Sequence, residues 1–200
     1  PHATNFGGVA PIMIYHAESD SVVTISGLGR WPRSASLEYF NEKQNGQIPV
    51  GILRSVVPSA PDAWLTALEN YGSMTFEQVV SPALALAQNG FPLSGITAKF
   101  LGRSEETGEG NLSSWESTRA IFMPNNKILR EGDILIQKDL ASTFKRLIEV
   151  EKANAYKGRE SAIRSARDYF YKGAPSKLLG NARIINRISG LIPFGTRNPS

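Results

Sequence analysis

The sequence predicts an α/β chain of the α+β kind, with strands near the front and helices behind them. Three observations predict it. Val9–Tyr15 and Ser21–Ile25 are two apolar, β-branched runs separated only by polar residues 16–20, the pattern of neighbouring antiparallel strands. Residues 57–94 carry two consecutive apolar stripes at helical spacing, each with its own start and stop signals. Two further helical stripes follow Asp139 and Arg159. At 200 residues and 41% hydrophobic content the chain suffices for one domain with a sizeable core.

In chain order, Gly7-Gly8 precedes the first strand and allows a tight turn or a close backbone approach. Gly27-Leu28-Gly29-Arg30-Trp31-Pro32 follows the second. A dinucleotide fingerprint needs a third glycine where Pro32 stands, so that reading is rejected. Ser36–Glu42 predicts a helical turn with Leu37 and Phe40 inward, Asn45-Gly46 a turn, and Ile48–Val57 an extended lead-in.

The central pair of helices is the best-formed stretch. Ser59 is the expected N-cap, with Pro61 and Asp62 in the first turn. Ala63, Trp64, Ala67, Leu68 and Tyr71 form the stripe, and Gly72 is the expected C′ glycine. Thr75 and Gln78 form a capping box for the second helix, with Met74 and Val79 as its staple. Its stripe is Val79, Val80, Ala83, Leu84 and Ala87, and Asn89-Gly90 ends it. Pro82 predicts a kink or break near Val80.

Beyond Phe100-Leu101, Gly102–Ser114 reads as a polar loop, in which Glu105, Glu106 and Glu109 are solvated and not an acid–base pair. The loop holds a sequon at Asn111. Phe122–Gln137 reads as turn, strand, turn, strand. Asp139 is expected to cap a helix burying Leu140, Phe144, Leu147 and Ile148, and Arg159–Tyr171 a helix burying Ala162, Ile163, Ala166 and Phe170.

Charge and composition exclude several functions. The net charge of +4 resides in residues 174–200, where Lys177, Arg183, Arg187 and Arg197 stand without an acid. The remaining 173 residues hold 18 bases and 18 acids, so the body lacks the basic face of a nucleic-acid binder. No cysteine means no disulfide, thiol nucleophile or thiolate metal site. His2 and His16 are too few and too far apart for a metal site or a triad. There is no G-x-S-x-G, H-E-x-x-H or P-loop motif, and no apolar run long enough to span a bilayer. PHATNFGG has no signal-peptide pattern and leaves the compartment unassigned.

Pro58, Tyr71-Gly72, Pro82-Ala83, Leu86-Ala87 and Gly90-Phe91-Pro92 resemble, in order and spacing, the large-subunit segment of the γ-glutamyltranspeptidase family. Its pattern runs V-P-G, a helix, Y-G, then P-A-x-x-L-A-x-x-G-F-P. Ser59 and Asp62 depart from it where many members have glycine. Gly132-Asp133, Gln137, Leu140-Ala141 and Phe170-Tyr171-Lys172-Gly173 continue the resemblance as G-D-x-L-x-Q-x-x-L-A and F-Y-x-G, with a longer insertion around residues 151–165. It runs from Pro1 to Gly173, a large-subunit region expected to be incomplete at both ends, and residues 174–200 form a basic tail outside the pattern.

The resemblance implies a partial αββα sandwich of the N-terminal-nucleophile hydrolases. It implies amide acyl transfer to water or an amine through an acyl-threonine, without a cofactor. The family's nucleophile is a threonine made N-terminal by autocleavage, with its own α-amino group as base. That threonine begins the small subunit, downstream of the matched region, so no catalytic residue is assigned and this chain is expected to be inactive alone. The implied partners are the small-subunit region of the same precursor and a small-molecule amide, not a nucleic acid.

Members that use γ-glutamyl donors carry an arginine four residues before the proline matched by Pro32, and it holds the donor's α-carboxylate. Leu28 stands there. Arg30, in a G-x-G-R-x-P arrangement like that of the acylase and oxamate-amidohydrolase branches, is the candidate substrate-binding residue, since a guanidinium fork suits a carboxylate. A strand-end or ion-pair role is its structural alternative. The family's glycine run is reduced here to Gly7-Gly8-Val9. An oxamate-amidohydrolase or cephalosporin-acylase-like activity is the alternative within the family, and a non-catalytic remnant the alternative outside it. In the tail, Ile184, Ile185, Ile188, Leu191 and Ile192 fit a short basic amphipathic helix for a membrane or partner. The abrupt compositional change favours instead an end that does not pack.

Overall fold

The structure is a computed structural model and describes residues 5–31, 35–49, 52–107 and 115–173. The front of the chain is an antiparallel hairpin, β1 (Ile12–His16) and β2 (Ser21–Ile25), in the register Ile12 opposite Ile25 and His16 opposite Ser21. The turn between them puts Asp20 at φ 47°, and Tyr15 Oη donates to Asp20 Oδ1 at 2.8 Å. Strand alternation leaves Met13, Tyr15 and Val22 on an exposed face, while Ile12, Ile14, Val23 and Ile25 are half-buried on the other.

Helix α1 (Leu37–Lys43) follows, capped by the Ser36 side chain. Only Phe40 of its two expected anchors is inward, with its ring 5.3 Å from that of Trp31; Leu37 is 73% exposed. The turn at Asn45-Gly46 forms with both residues at positive φ. The expected extended lead-in contains a short 3₁₀ turn, Ile52–Arg54.

The main core is built by α2 (Ala60–Tyr71), α3 (Phe76–Asn89), α6 (Lys138–Ala153) and α7 (Arg159–Lys172). α3 packs on α6, α6 on α7, and α7 on α2. Leu65, Val80, Phe144, Leu147, Ile148, Ile163 and Phe170 meet in its interior. Ala162, Ile163, Ala166 and Phe170 of α7 are buried as their spacing predicts.

Several cap expectations need correction. Ser59 precedes α2 but makes no side-chain cap; its hydroxyl donates to the Gly27 carbonyl instead. Gly72 ends α2 in an extended conformation, φ −94°, and not a left-handed one. Its absent Cβ still matters, because a Cβ there would lie 2.7 Å from Leu68 Cδ1. The Thr75–Gln78 capping box forms, with Gln78 N donating to Thr75 Oγ1 at 3.2 Å and Thr75 N donating to Gln78 Oε1 at 2.8 Å. Pro82 does not break α3, which runs from Phe76 to Asn89 with Pro82 on its exposed side. Val79 and Ala83 of the expected stripe are exposed, whereas Phe76, Val80 and Ala87 are buried. Asp139 lies in the first turn of α6, not at its cap.

A smaller layer packs beside this core. α4 (Gly95–Thr107) occupies the first half of the expected polar loop. Among its described side chains Thr97, Leu101 and Ser104 are buried, so polar residues share the inward stripe and an apolar count misses the helix. The remainder of that loop, with Glu109 and the Asn111 sequon, lies outside the described residues. α5 (Glu116–Phe122) was not anticipated. After it Asn125 and Asn126 turn the chain through positive φ, and Leu129 N returns to Phe122 O at 2.9 Å. That fold-back replaces the first of the two expected strands. The second survives as β4 (Ile134–Leu135), paired antiparallel with β3 (Phe91–Pro92) over Leu93, Leu101, Leu129 and Leu135.

Candidate functional site

The segment leaving β2 is held between two other backbones. Ala10 N donates to Gly27 O and Val57 N donates to Arg30 O, both at 3.0 Å. Gly27 has φ +52°, and a Cβ there would lie 2.0 Å from the Ala10 carbonyl oxygen. A Cβ on Gly29 would lie 2.1 Å from the Val57 carbonyl oxygen. The G-x-G spacing before Arg30 therefore answers a two-sided backbone squeeze, not a phosphate.

The start of α2 is anchored at the same place. Ser59 N and Ala60 N both donate to Gly8 O at 3.0 Å. From the far end of the chain, Tyr171 Oη donates to Pro58 O at 2.6 Å and accepts from Asp62 N at 3.1 Å. Glycine loop, post-β2 segment, α2 start and α7 end thus form one junction. Arg30 projects from it. Its carbonyl is fixed, while its exposed guanidinium has no hydrogen bond or ion pair among the described residues. Leu28, two residues earlier, is 61% exposed.

The engaged arginines lie elsewhere. Glu69, almost fully buried on α2, receives Arg164 Nε at 2.8 Å, and its Oε2 lies 3.2 Å from Arg167 Nη1 as an ion-pair contact without hydrogen-bond alignment. Arg167 also donates to Thr66 Oγ1 at 2.7 Å and lies 3.6 Å from Asp62 Oδ1. Burial pushes the Asp62 carboxyl above the usual carboxylate range, against the lowering pull of Arg167. Burial also holds the Tyr171 phenol well above its ordinary value. Glu151 on α6 accepts from Phe76 N at 2.6 Å and Glu77 N at 2.9 Å, acting as a carboxylate cap for α3. Sequence reasoning found neither cluster, since each pairs residues more than 70 positions apart.

Among the described residues no group of three or more His, Asp or Glu could hold a metal ion. His16 ends β1, with Nδ1 3.0 Å from Ser19 Oγ, and His2 lies outside the described residues. No described helix is long and apolar enough to cross a membrane.

The architecture is similar to that of the γ-glutamyltranspeptidase of Helicobacter pylori, with a TM-score of 0.74 and 25% identity, covering 91% of this chain and 48% of that one. It is also similar in fold to the cephalosporin acylase of Bacillus halodurans, with a TM-score of 0.71 and 19% identity, covering 93% of this chain and 34% of the acylase. These similarities define the class as that of the α/β N-terminal-nucleophile hydrolases. The glutathione hydrolase proenzyme of Bacillus subtilis is 30% identical over 165 residues, covering 80% of this chain and 27% of the relative. The acylase ACY 1 proenzyme of Pseudomonas sp. strain SE83 is 28% identical over 174 residues, covering 82% and 30%. The family model described as gamma-glutamyltranspeptidase matches residues 1–163, and the chain belongs to that family. It spans under a third of the length of these curated relatives.

The words that carried the resemblance are junctions in space. Tyr171 binds Pro58, Gly90-Phe91-Pro92 lies against the strand after Gly132-Asp133, and Gln137 N donates to Ala87 O at 2.9 Å.

Proposed function

We propose that residues 1–173 supply the large-subunit share of a γ-glutamyltransferase-like enzyme and leave the chemistry to a complementary region that begins with a threonine. The reaction is acyl transfer from an amide. The threonine hydroxyl attacks the carbonyl with its α-amine taking the proton, the amine leaves, and water or a second amine releases the acyl group. This chain's part is to hold the substrate and the sheet scaffold. The carrying observation is that Arg30, without a side-chain partner among the described residues, projects from a junction fixed by three other segments, beside a two-stranded sheet with Met13, Tyr15 and Val22 uncovered. Two strands alone make a marginal sheet, and further strands and a covering layer would complete it.

Arg30 receives the substrate carboxylate in this reading. Leu28 at the position where γ-glutamyl-specific members carry arginine favours the second reading, an acylase or amidohydrolase acting on another acyl group, and the acylase ACY 1 relative is in keeping with it. The test replaces the matching segment of the B. subtilis glutathione hydrolase proenzyme with residues 1–173. The isolated chain should show no turnover of a γ-glutamyl anilide, and the chimera should cleave itself and turn over an amide substrate. Arg30→Ala in the chimera should weaken a carboxylate-bearing amide by about 2–4 kcal/mol relative to a neutral one, and Arg30→Lys should recover only part. Turnover by the isolated chain, or equal loss on both substrates, rejects the assignment.

A further inference from the structure

An apolar groove of about 420 Å³ runs between α2 and α3. Leu65 and Phe144 lie at its floor, Phe6 and Trp64 along one wall, and Val79 and Ala83 along the other. Val79 and Ala83 are both exposed, so the α3 wall is an apolar surface left open to water. Among the described residues lining the groove none is charged, so nothing there orients a small polar ligand, which argues for an apolar helix face as occupant rather than a metabolite. Its length along either helix, Pro61 to Leu68 and Phe76 to Ala83, is about 10 Å at 1.5 Å per residue.

The described chain ends beside it. Phe6 in the groove wall meets Phe170 of α7 edge-to-face at 5.3 Å, and Gly173 follows three residues later. Residues 174–181 then contain Pro175 and Gly180, and residues 184, 185, 188, 191 and 192 are Ile, Ile, Ile, Leu and Ile. Those five positions share one helical face, with Arg183, Asn186, Arg187 and Ser189 on the other. The ten residues between Gly173 and Ile184 make eleven Cα–Cα steps, up to about 36 Å when extended, more than a groove adjoining Phe170 requires.

We propose that the tail docks in this groove within its own chain, laying the Ile184–Ile185–Ile188–Leu191–Ile192 face between α2 and α3. The proposal rests on the groove, the spacing and the exit point of α7, and does not depend on the catalytic reading.

The chain has no cysteine, so introduced pairs report without background. Val79→Cys is combined in the full-length chain with Ile185→Cys, Ile188→Cys or Leu191→Cys, and, on the polar face, with Arg183→Cys or Arg187→Cys. Under mild oxidation at low protein concentration, at least one apolar-face pair should close an intramolecular disulfide at least ten times faster than either polar-face pair. Equal rates from both faces, or crosslinking only between molecules, overturn the proposal; the second result assigns the groove to a second copy. As a check that does not depend on a new bond, Ile185→Asp with Ile188→Asp should lower the melting temperature by several degrees, while Arg183→Asp with Arg187→Asp should not. No difference between these pairs also overturns it and restores the unpacked end expected from composition.

Discussion

The α2–α3–α6–α7 core and the β1–β2 hairpin differ in how much of their apolar surface this chain covers. In the core Leu147 and Ile163 have no exposure at all, and two buried carboxylates are met by guanidinium or backbone N–H groups. In the hairpin Met13 is 75% and Tyr15 62% exposed, and no residue of either strand is fully buried. The core covers its own interior and leaves the α2–α3 groove open at its surface. The hairpin leaves its Met13–Tyr15–Val22 face uncovered among the described residues, and Arg30 follows five residues after β2.

Substitutions in the two regions should differ in cost accordingly. The largest effect is expected in the core: Leu147→Ala should cost about 2–5 kcal/mol in denaturant unfolding, through lost transfer energy and a residual cavity. Ile14→Ala in the hairpin should cost about 1 kcal/mol, because the side chain is only half removed from water. Equal costs would erase the distinction. Glu151→Ala should cost about 2–3 kcal/mol, since Phe76 N loses a buried charged acceptor, and Glu151→Gln should recover part of it by keeping a carbonyl oxygen.

Tyr171→Phe, which unties α7 from Pro58 and Asp62, should cost about 1–2 kcal/mol at neutral pH. Its pH signature is specific. The folded phenol keeps its proton after the unfolded phenol, with an ordinary pKa of 10.0, has lost it. Its contribution is therefore full below that pH and is lost as pH rises beyond it, and the Phe variant should lack this alkaline loss. Asp62 behaves in the same sense at acid pH. With its folded carboxyl raised above the ordinary 3.8, mainly by burial, its contribution is greatest below that value and fades toward neutrality. The stability difference caused by Asp62→Asn should change in that direction between pH 3 and pH 7 in urea titrations. The smallest effect belongs to Arg30→Ala, which should move stability by less than about 0.5 kcal/mol, because only its carbonyl is tied down.

The helices of the core were legible as helices because their apolar periods are local, but the expected α2 stripe includes exposed Tyr71 and omits buried Leu65 and Glu69. α7 reads correctly down to its four buried residues, and the Thr75–Gln78 box forms as spelled. α4 was hidden by Thr97 and Ser104, polar residues spent on an inward stripe. Ser59 misled because its backbone, at φ −117° and ψ −5°, lacks the extended conformation that lets a cap oxygen accept from the first turn, and its hydroxyl donates to the Gly27 carbonyl 32 residues away. The two glycines before Arg30 were visible as letters, but their reason, pressure from the Ala10 and Val57 carbonyls, exists only once three segments meet. The candidate site was thus legible as an arginine in a family word, and its fixed backbone and open side chain were not.

Amide hydrogen exchange on the isolated full-length chain tests the contrast most directly. Interior amides of α6 and α7 should exchange only through global unfolding, while paired amides of β1 and β2 should exchange at least about 100-fold faster through local opening. In the processed chimera the hairpin amides should slow toward the core's rate. Hairpin amides as protected in the isolated chain as those around Leu147 would contradict it, since the sheet would then be complete without any covering partner.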